Sequence, residues 1–133
     1  MNWVGNITDM HAKFGVHDAI KKMDPEMLGH FLDFRIAFLQ EEIDEMKLAR
    51  KDGDPEGIVD ALIDLCVVAI GTLDAFNVDS HEAWNRVYRA NMSKEPGQNP
   101  TRPNKFGLPD MVKPEGWTAP SHEGNHGLIA YAK

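Results

Sequence analysis

The sequence predicts an all-α fold, an antiparallel helix-hairpin bundle followed by an irregular Gly/Pro-rich C-terminal tail. Residues 25–94 carry apolar side chains at helical spacing, with punctuation only near residues 53 and 77–80. No strand-period alternation and no internal repeat competes with that pattern. From Pro96 onward, proline and glycine recur at Gly97, Pro100, Pro103, Gly107, Pro109, Pro114, Gly116, Pro120, Gly124 and Gly127, a density that ends regular helix. A chain of 133 residues is the size of one ordinary domain, here a single unit with a helical core over about 6–94 and a tail over 95–133.

The first expected helix starts at the cap candidate Asn6, carries Ile7, Met10 and Phe14 on one side and ends at Gly15. The second, over about 25–51, has Leu28, Leu32, Ile36, Leu39, Ile43 and Met46 in i+3/i+4 steps, one face of a long amphipathic helix. The third opens with Asp54-Pro55-Glu56, a capping aspartate, a proline at the first helical position and an acidic first turn. It runs to about residue 76 and is almost entirely apolar. The fourth begins at Asp79-Ser-His-Glu82, which has capping-box form, and continues through Trp84, Val87 and Tyr88 to about residue 93.

Composition narrows the function. Lys and Arg number 14 against 21 Asp and Glu, a formal net charge of −7, which disfavours a nucleic-acid groove or an anionic membrane as partner. The single cysteine, Cys66, lies in the apolar run 65–70, where it reads as a small core residue suited to a reducing cytosol. That run is the longest of its kind and falls far short of the roughly 20 residues that span a membrane. No basic-then-apolar segment opens the chain, so a soluble, unprocessed cytoplasmic protein is expected.

The informative residues are acidic. On the second helix Glu42 falls beside the apolar stripe, on the side that carries Phe31, Arg35 and Phe38, and Glu45 lies further round that side. On the third, Asp60 and Asp64 are the only charged residues between Glu56 and Asp74, in a helix whose other side chains look buried. Burying two carboxylates one turn apart without a cation is very costly. If the two helices fold back about residues 51–54, opposed residues have numbers summing to roughly 105. Glu45 then faces Asp60, and Glu41 and Glu42 fall level with Asp64. Hard oxygen donors without a thiolate suit Mg²⁺ or Mn²⁺ and suit zinc poorly.

Other readings compete. Acidic runs such as Glu41-Glu-Ile-Asp-Glu45 are usually solvated helix faces with basic partners at i+4. The two aspartates are also open to a structural ion pair with Arg35 or Arg86. A di-iron bundle needs Glu-x-x-His on two helices, and the only such string is Glu123-Gly-Asn-His126 in the glycine-rich tail. The six histidines show no ligand or triad spacing.

Glu41-Glu-x-x-Glu45 followed by Asp60-Ala-Leu-Ile-Asp64, within Asp60-Ala-Leu-Ile-Asp-Leu-Cys-Val-Val-Ala-Ile-Gly-Thr72, resembles the all-α nucleoside triphosphate pyrophosphohydrolases, the MazG-like and phosphoribosyl-ATP pyrophosphohydrolase-like group. The likeness spans roughly 31–94. It implies that Glu42, Glu45, Asp60 and Asp64 hold magnesium and that Glu41 serves a further magnesium or the attacking water. One departure matters: the group's common second motif is Glu-x-x-Asp, whereas here Asp60 stands four residues before Asp64 and Ala61 occupies the three-residue spacing. Asp64 is therefore the safer ligand, and Asp60 is either a direct ligand or an outer residue holding water. The resemblance also implies that Asn91 and Lys94 touch phosphate; helix-end residues that complement the dipole are the bland alternative.

For the base, Phe31 and Phe38 share the carboxylate side, with Met10, His11 and Phe14 placed to close over them. Arg35 joins Phe38 and His11 as a candidate substrate contact, Lys105 and Lys113 are weaker ones, and Trp117 is free to pack the tail across the site or a neighbouring subunit. The expected reaction is Mg²⁺-dependent cleavage of a nucleoside triphosphate to monophosphate and pyrophosphate. Small phage-type members of the group trim dGTP to dGMP, which brings guanine, and a host's cytoplasm, into the expectation. Phosphoribosyl-ATP as substrate and a non-catalytic helical interaction module are the alternatives. An apolar third helix with too little partner surface implies a homodimer or homotetramer.

Overall fold

The computed structural model describes residues 1–102, 105–107 and 109–133; Pro103, one of the tail prolines, lies outside the described residues. In chain order these form α1 (Trp3–Lys13), α2 (Val16–Lys21), α3 (Pro25–Lys51), α4 (Pro55–Ala75), α5 (Ser80–Met92), strands β1 (Glu95–Gly97) and β2 (Asp110–Val112), and a 3₁₀ helix (Gly127–Tyr131). The fold is all-α, as expected. No helix among the described residues is long and apolar enough to cross a membrane. The chain divides into two compact units, residues 1–80 with 124–133, and residues 81–123.

In the first unit, α3 and α4 pack along their length as a helix hairpin. Its turn is dictated locally. Gly53 takes φ 65°, a left-handed conformation that costs glycine nothing, and closes α3 with bonds from its own N–H to the Arg50 carbonyl and from the Asp54 N–H to the Ala49 carbonyl. The Asp54 side chain then accepts from the Gly57 N–H at 3.1 Å and starts α4. Arg35 reaches Val68 and Thr72, Phe31 lies against Phe76, and Ala49 faces Gly57, pairs whose numbers sum close to the expected 105. The same end structure recurs after α4, where Asn77 at φ 58° turns the chain while Asn77 and Val78 donate to the carbonyls of Asp74 and Leu73.

Three expectations need correcting. Helix α1 begins at Trp3, capped by Asn2, whose side chain accepts from Gly5, so Asn6 lies within the helix. The left-handed Gly15 ends α1 near the expected place but starts a further helix, α2, which the pattern missed because six residues are too few to show a period. The tail is not irregular throughout, since its last ten residues return to the first unit. There Leu128, Ile129 and Ala132 pack on a core of Ile20, Leu28, Ala75 and the fully buried Phe76. The Leu128 N–H donates to the Phe76 carbonyl at 2.7 Å and the Lys133 N–H to the Pro25 carbonyl at 3.0 Å. A side chain at Gly29 would collide with the Lys133 carbonyl, so only glycine admits that approach.

The second unit holds the rest of α5 and the middle of the tail, where β1 and β2 pair antiparallel with Pro96 opposite Met111. Arg86 pairs with Glu82 at 2.9 Å and donates to the carbonyls of Ser121 and Glu123. Trp117 docks on the end of α5, its Nε1 donating to the Ala90 carbonyl and to Ser93 Oγ, both at 2.9 Å.

Candidate active site

The inward line of α3 runs at seven-residue steps through Leu28, Arg35, Glu42 and Ala49, of which Leu28, Glu42 and Ala49 are buried and Arg35 half-buried. Ala61, Val68 and Ala75 of α4 are buried at the same step. A seven-residue repeat is the pattern of a packed helix pair, and such positions are ordinarily apolar. Arg35 and Glu42 break that rule. Ile36, expected on the core stripe, is instead 56% exposed because the true seam is rotated toward Arg35.

Glu42 is only 7% exposed, and its Oε2 has no hydrogen-bond partner among the described residues. Burial pushes its carboxyl above the ordinary carboxylate range, and the charges of Glu45, Asp64 and Asp60, with a hydrogen bond to Glu45, push it the same way. The hairpin thus brings Glu42, Glu45, Asp60 and Asp64 into one electrostatic patch. The buried acid is Glu42 rather than the α4 pair, which corrects the premise drawn from α4. Asp60 is exposed and Asp64 half-buried, and Val59, Leu62 and Ile63 of α4 are 60%, 47% and 46% exposed. Glu41 and Glu45 are also exposed. Neither aspartate has an ion-pair partner among the described residues, which removes the structural pair with Arg35 or Arg86.

A buried carboxylate oxygen lacking any donor, among three further acids and no thiolate, fits a hard dication. Glu42, Glu45, Asp60 and Asp64 are the residues that would hold it.

Arg35, two turns before Glu42, donates from Nε to Thr72 Oγ1 and from Nη2 to the Val68 carbonyl, both at 3.0 Å. Its guanidinium lies 6.0 Å from the Phe31 ring centre and 5.7 Å from that of Phe38. Burial without a carboxylate partner draws its pKa down. Gly71 makes room for it, since a Cβ there would come within 2.7 Å of Nη2. Both rings are half-buried; Phe31 packs on the core, against Phe76 at 5.6 Å, and Phe38 lies edge-on to the exposed Phe34. His11 bonds Asp74 Oδ2 through Nδ1 at 2.8 Å, and the other edge of its ring lies at Gly71, as the Arg35 guanidinium does, 3.4 Å from where a Cβ would stand.

Asn91 and Lys94 lie in the second unit, both half-buried. The Lys94 and Lys113 ammonium groups stand 5.1 and 5.2 Å from the Trp117 ring, which therefore binds its own unit's lysines and helix end.

A family model described as phosphoribosyl-ATP pyrophosphohydrolase matches residues 10–91. The chain belongs to that family. Membership supports a metal-dependent nucleotide pyrophosphohydrolase activity in general terms. Among curated proteins and solved structures, none matches. In this phosphoribosyl-ATP pyrophosphohydrolase-family chain the matched span takes in all five acids, Arg35 and Phe38, ends on Asn91, and stops short of Lys94.

One cluster was invisible in the sequence. His11 of α1, His17 of α2 and Asp74 of α4 come together so that one ligand atom from each lies within 4.8 Å of the others, and the carboxylate patch forms no such tight group among the described residues. A separation of six positions between two histidines on different helices matches no ligand spacing, and the turn at Gly15 brings them together.

Proposed function

We propose that the chain is a Mg²⁺-dependent nucleoside triphosphate pyrophosphohydrolase, converting a ribo- or deoxynucleotide to its monophosphate and pyrophosphate. The observation that carries this reading is the buried Glu42, whose Oε2 has no partner among the described residues, beside Glu45, Asp60 and Asp64. The magnesium, or manganese, bound by these acids would neutralise phosphate charge and lower the pKa of a water. Glu41, exposed one position before Glu42, positions that water as general base. Water oxygen bonds to the α phosphorus, the bond from that phosphorus to the bridging oxygen breaks, and pyrophosphate leaves. Arg35 and Phe38 supply a cation and an aromatic face for the substrate.

The exposed apolar residues of α4, with Ile36 and Leu48 of α3 at 56% and 58%, support assembly as a homodimer or homotetramer. The family description supports phosphoribosyl-ATP as a second reading of the substrate. One assay separates the readings: pyrophosphate release over the ribo- and deoxynucleoside triphosphates, with dGTP and GTP first, and over phosphoribosyl-ATP, in ¹⁸O-labelled water. Label in the monophosphate is the expected result. Label in pyrophosphate means attack at the β phosphorus, orthophosphate release overturns the reaction, and no turnover on any substrate leaves a binding module.

A further inference from the structure

We propose that His11, His17 and Asp74 form a second metal site, for a zinc-type transition-metal dication, separate from the carboxylate patch. Asp74 lies ten residues beyond Asp64 on α4, about 15 Å along the helix at 1.5 Å per residue. Three elements deliver the donors: His11 sits near the end of α1, His17 follows the left-handed Gly15 into α2, and Asp74 occupies the last turn of α4. His11 Nδ1 and His17 Nε2 approach the same oxygen, Asp74 Oδ2, at 2.8 and 2.7 Å. The two rings meet at 77° with centres 5.8 Å apart, so their nitrogens converge instead of stacking.

Zinc takes imidazole nitrogen and carboxylate oxygen at about 2.0–2.2 Å, which places neighbouring donors roughly 3.3 Å apart. The present spacing is some 0.5 Å tighter, a gap that a small rotation of the His17 ring, the more exposed of the two at 33% against 13%, opens. Each neutral imidazole then keeps its proton on its other nitrogen. Asp74 is already oriented for this, because Thr8 Oγ1 donates to its Oδ1 at 2.7 Å, the outer hydrogen bond that ligating carboxylates commonly carry. Although burial pushes the Asp74 carboxyl up, the bonds from Thr8, His17 and His11 outweigh it and hold the group below its ordinary value, ready as an anion.

Entry is provided as well. His17 lines two clefts, one of about 540 Å³ shared with Thr8, Lys21, Asp74 and Asn77, and one of about 260 Å³ shared with His11, Asp18 and Lys21. Two nitrogens and one carboxylate form an intermediate-soft donor set that prefers Zn²⁺, Co²⁺ or Ni²⁺ to Mg²⁺, the reverse of the all-oxygen patch. Bound there, the ion clasps the short α2 and the end of α1 to α4.

The full chain, stripped with EDTA and held in excess Mg²⁺ to occupy the carboxylate patch, is titrated with Co²⁺ followed by visible absorption and with Zn²⁺ by calorimetry. One equivalent per chain is expected, with binding weakened at least tenfold in His11→Gln and His17→Gln, about tenfold in Thr8→Ala, and unchanged in Asp64→Asn. Imidazole ¹⁵N spectra of the wild type need no variant: Zn²⁺ must move the nitrogens of His11 and His17 and leave those of His30, His81, His122 and His126. Absence of stoichiometric Co²⁺ or Zn²⁺ binding, equal binding in His17→Gln, loss in Asp64→Asn, or shifts at the other histidines instead would each overturn the proposal. None of these readouts depends on turnover, so the site stands or falls apart from the pyrophosphohydrolase reading.

Discussion

Glu42 is held in the α3–α4 seam at a cost to the metal-free protein, and Glu42→Gln measures that cost. The side chain is 7% exposed, one carboxylate oxygen has no donor among the described residues, and three other acids act on it. The substituted amide keeps the volume, removes the charge and donates to Glu45. Relief of a buried, unpaired group is worth about 1–3 kcal/mol. In a chain of this size that raises the melting temperature by roughly 3–10 °C. The measurement is thermal unfolding of both proteins in EDTA at pH 7.5, repeated in Mg²⁺. In EDTA the variant melts higher. In Mg²⁺ at about a hundred times its dissociation constant the wild type gains about 2.7 kcal/mol that the variant largely forgoes, so the order narrows or reverses. Turnover falls by at least about 100-fold. The pH dependence has a definite sign: a carboxyl raised in the folded state contributes stability that is complete below its unfolded value, about 4.5, and lost as pH rises through the raised one. The gap between the two proteins in EDTA therefore opens with rising pH and closes in acid. A variant that melts below the wild type in EDTA at pH 7.5, or one that keeps near-normal turnover at saturating Mg²⁺, refutes the reasoning.

Asp64→Asn is expected to abolish turnover while leaving a folded chain; Asp60→Asn matches it if the exposed Asp60 is a direct ligand and is milder if it only holds water, and full activity in Asp64→Asn would remove the ligand assignment. Gly71→Ala puts a methyl group 2.7 Å from the Arg35 guanidinium and breaks its bond to the Val68 carbonyl, a charged hydrogen bond worth about 1.5–3 kcal/mol. Helix propensity returns about 1 kcal/mol, so a net loss of roughly 0.5–2 kcal/mol should appear in the urea midpoint, and a gain would show that Arg35 is not anchored there. Light scattering at micromolar concentration is expected to give a dimer or tetramer, since Val59, Leu62 and Ile63 are about half exposed in the single chain; a stable, active monomer would exclude that assembly.

Most of the helical order was legible because its signals are local. The cap at Asp54, the proline that follows it at the first helical position and the Gly53 turn are each read within a few residues, and the turn alone set the register that brings Glu42 toward Asp64. What escaped depends on distant partners. Helix α2 is too short to show a period, and the return of residues 124–133 onto Phe76 is driven by Leu128, Ile129 and Ala132 in a stretch whose glycines and prolines suggested only irregular chain. The joining of His11, His17 and Asp74 needs three elements at once, so no spacing within the chain announces it.

Ile36, the one exposed member of the α3 stripe, shows why the site was harder to place than the fold. Leu28, Leu32, Ile36 and Leu39 make a fair apolar face at 3.6 residues per turn, and following hydrophobicity alone aims that face at the core. Two helices that stay in contact over their length select residues seven apart, which on α3 means Leu28, Arg35, Glu42 and Ala49. Small residues on the facing helix, Gly57, Ala61, Gly71 and Ala75, let that line come close, and Gly71 specifically leaves space for a guanidinium. A guanidinium and a carboxylate one heptad apart in such a line do not bond each other, so neither offsets the other's burial; Arg35 is compensated by Val68, Thr72 and two aromatic rings, whereas Glu42 bonds another acid, Glu45, and its Oε2 has no partner among the described residues. An unfavourable residue that the packing keeps at its centre points to a ligand that makes up the deficit, and for a carboxylate among carboxylates that ligand is a cation.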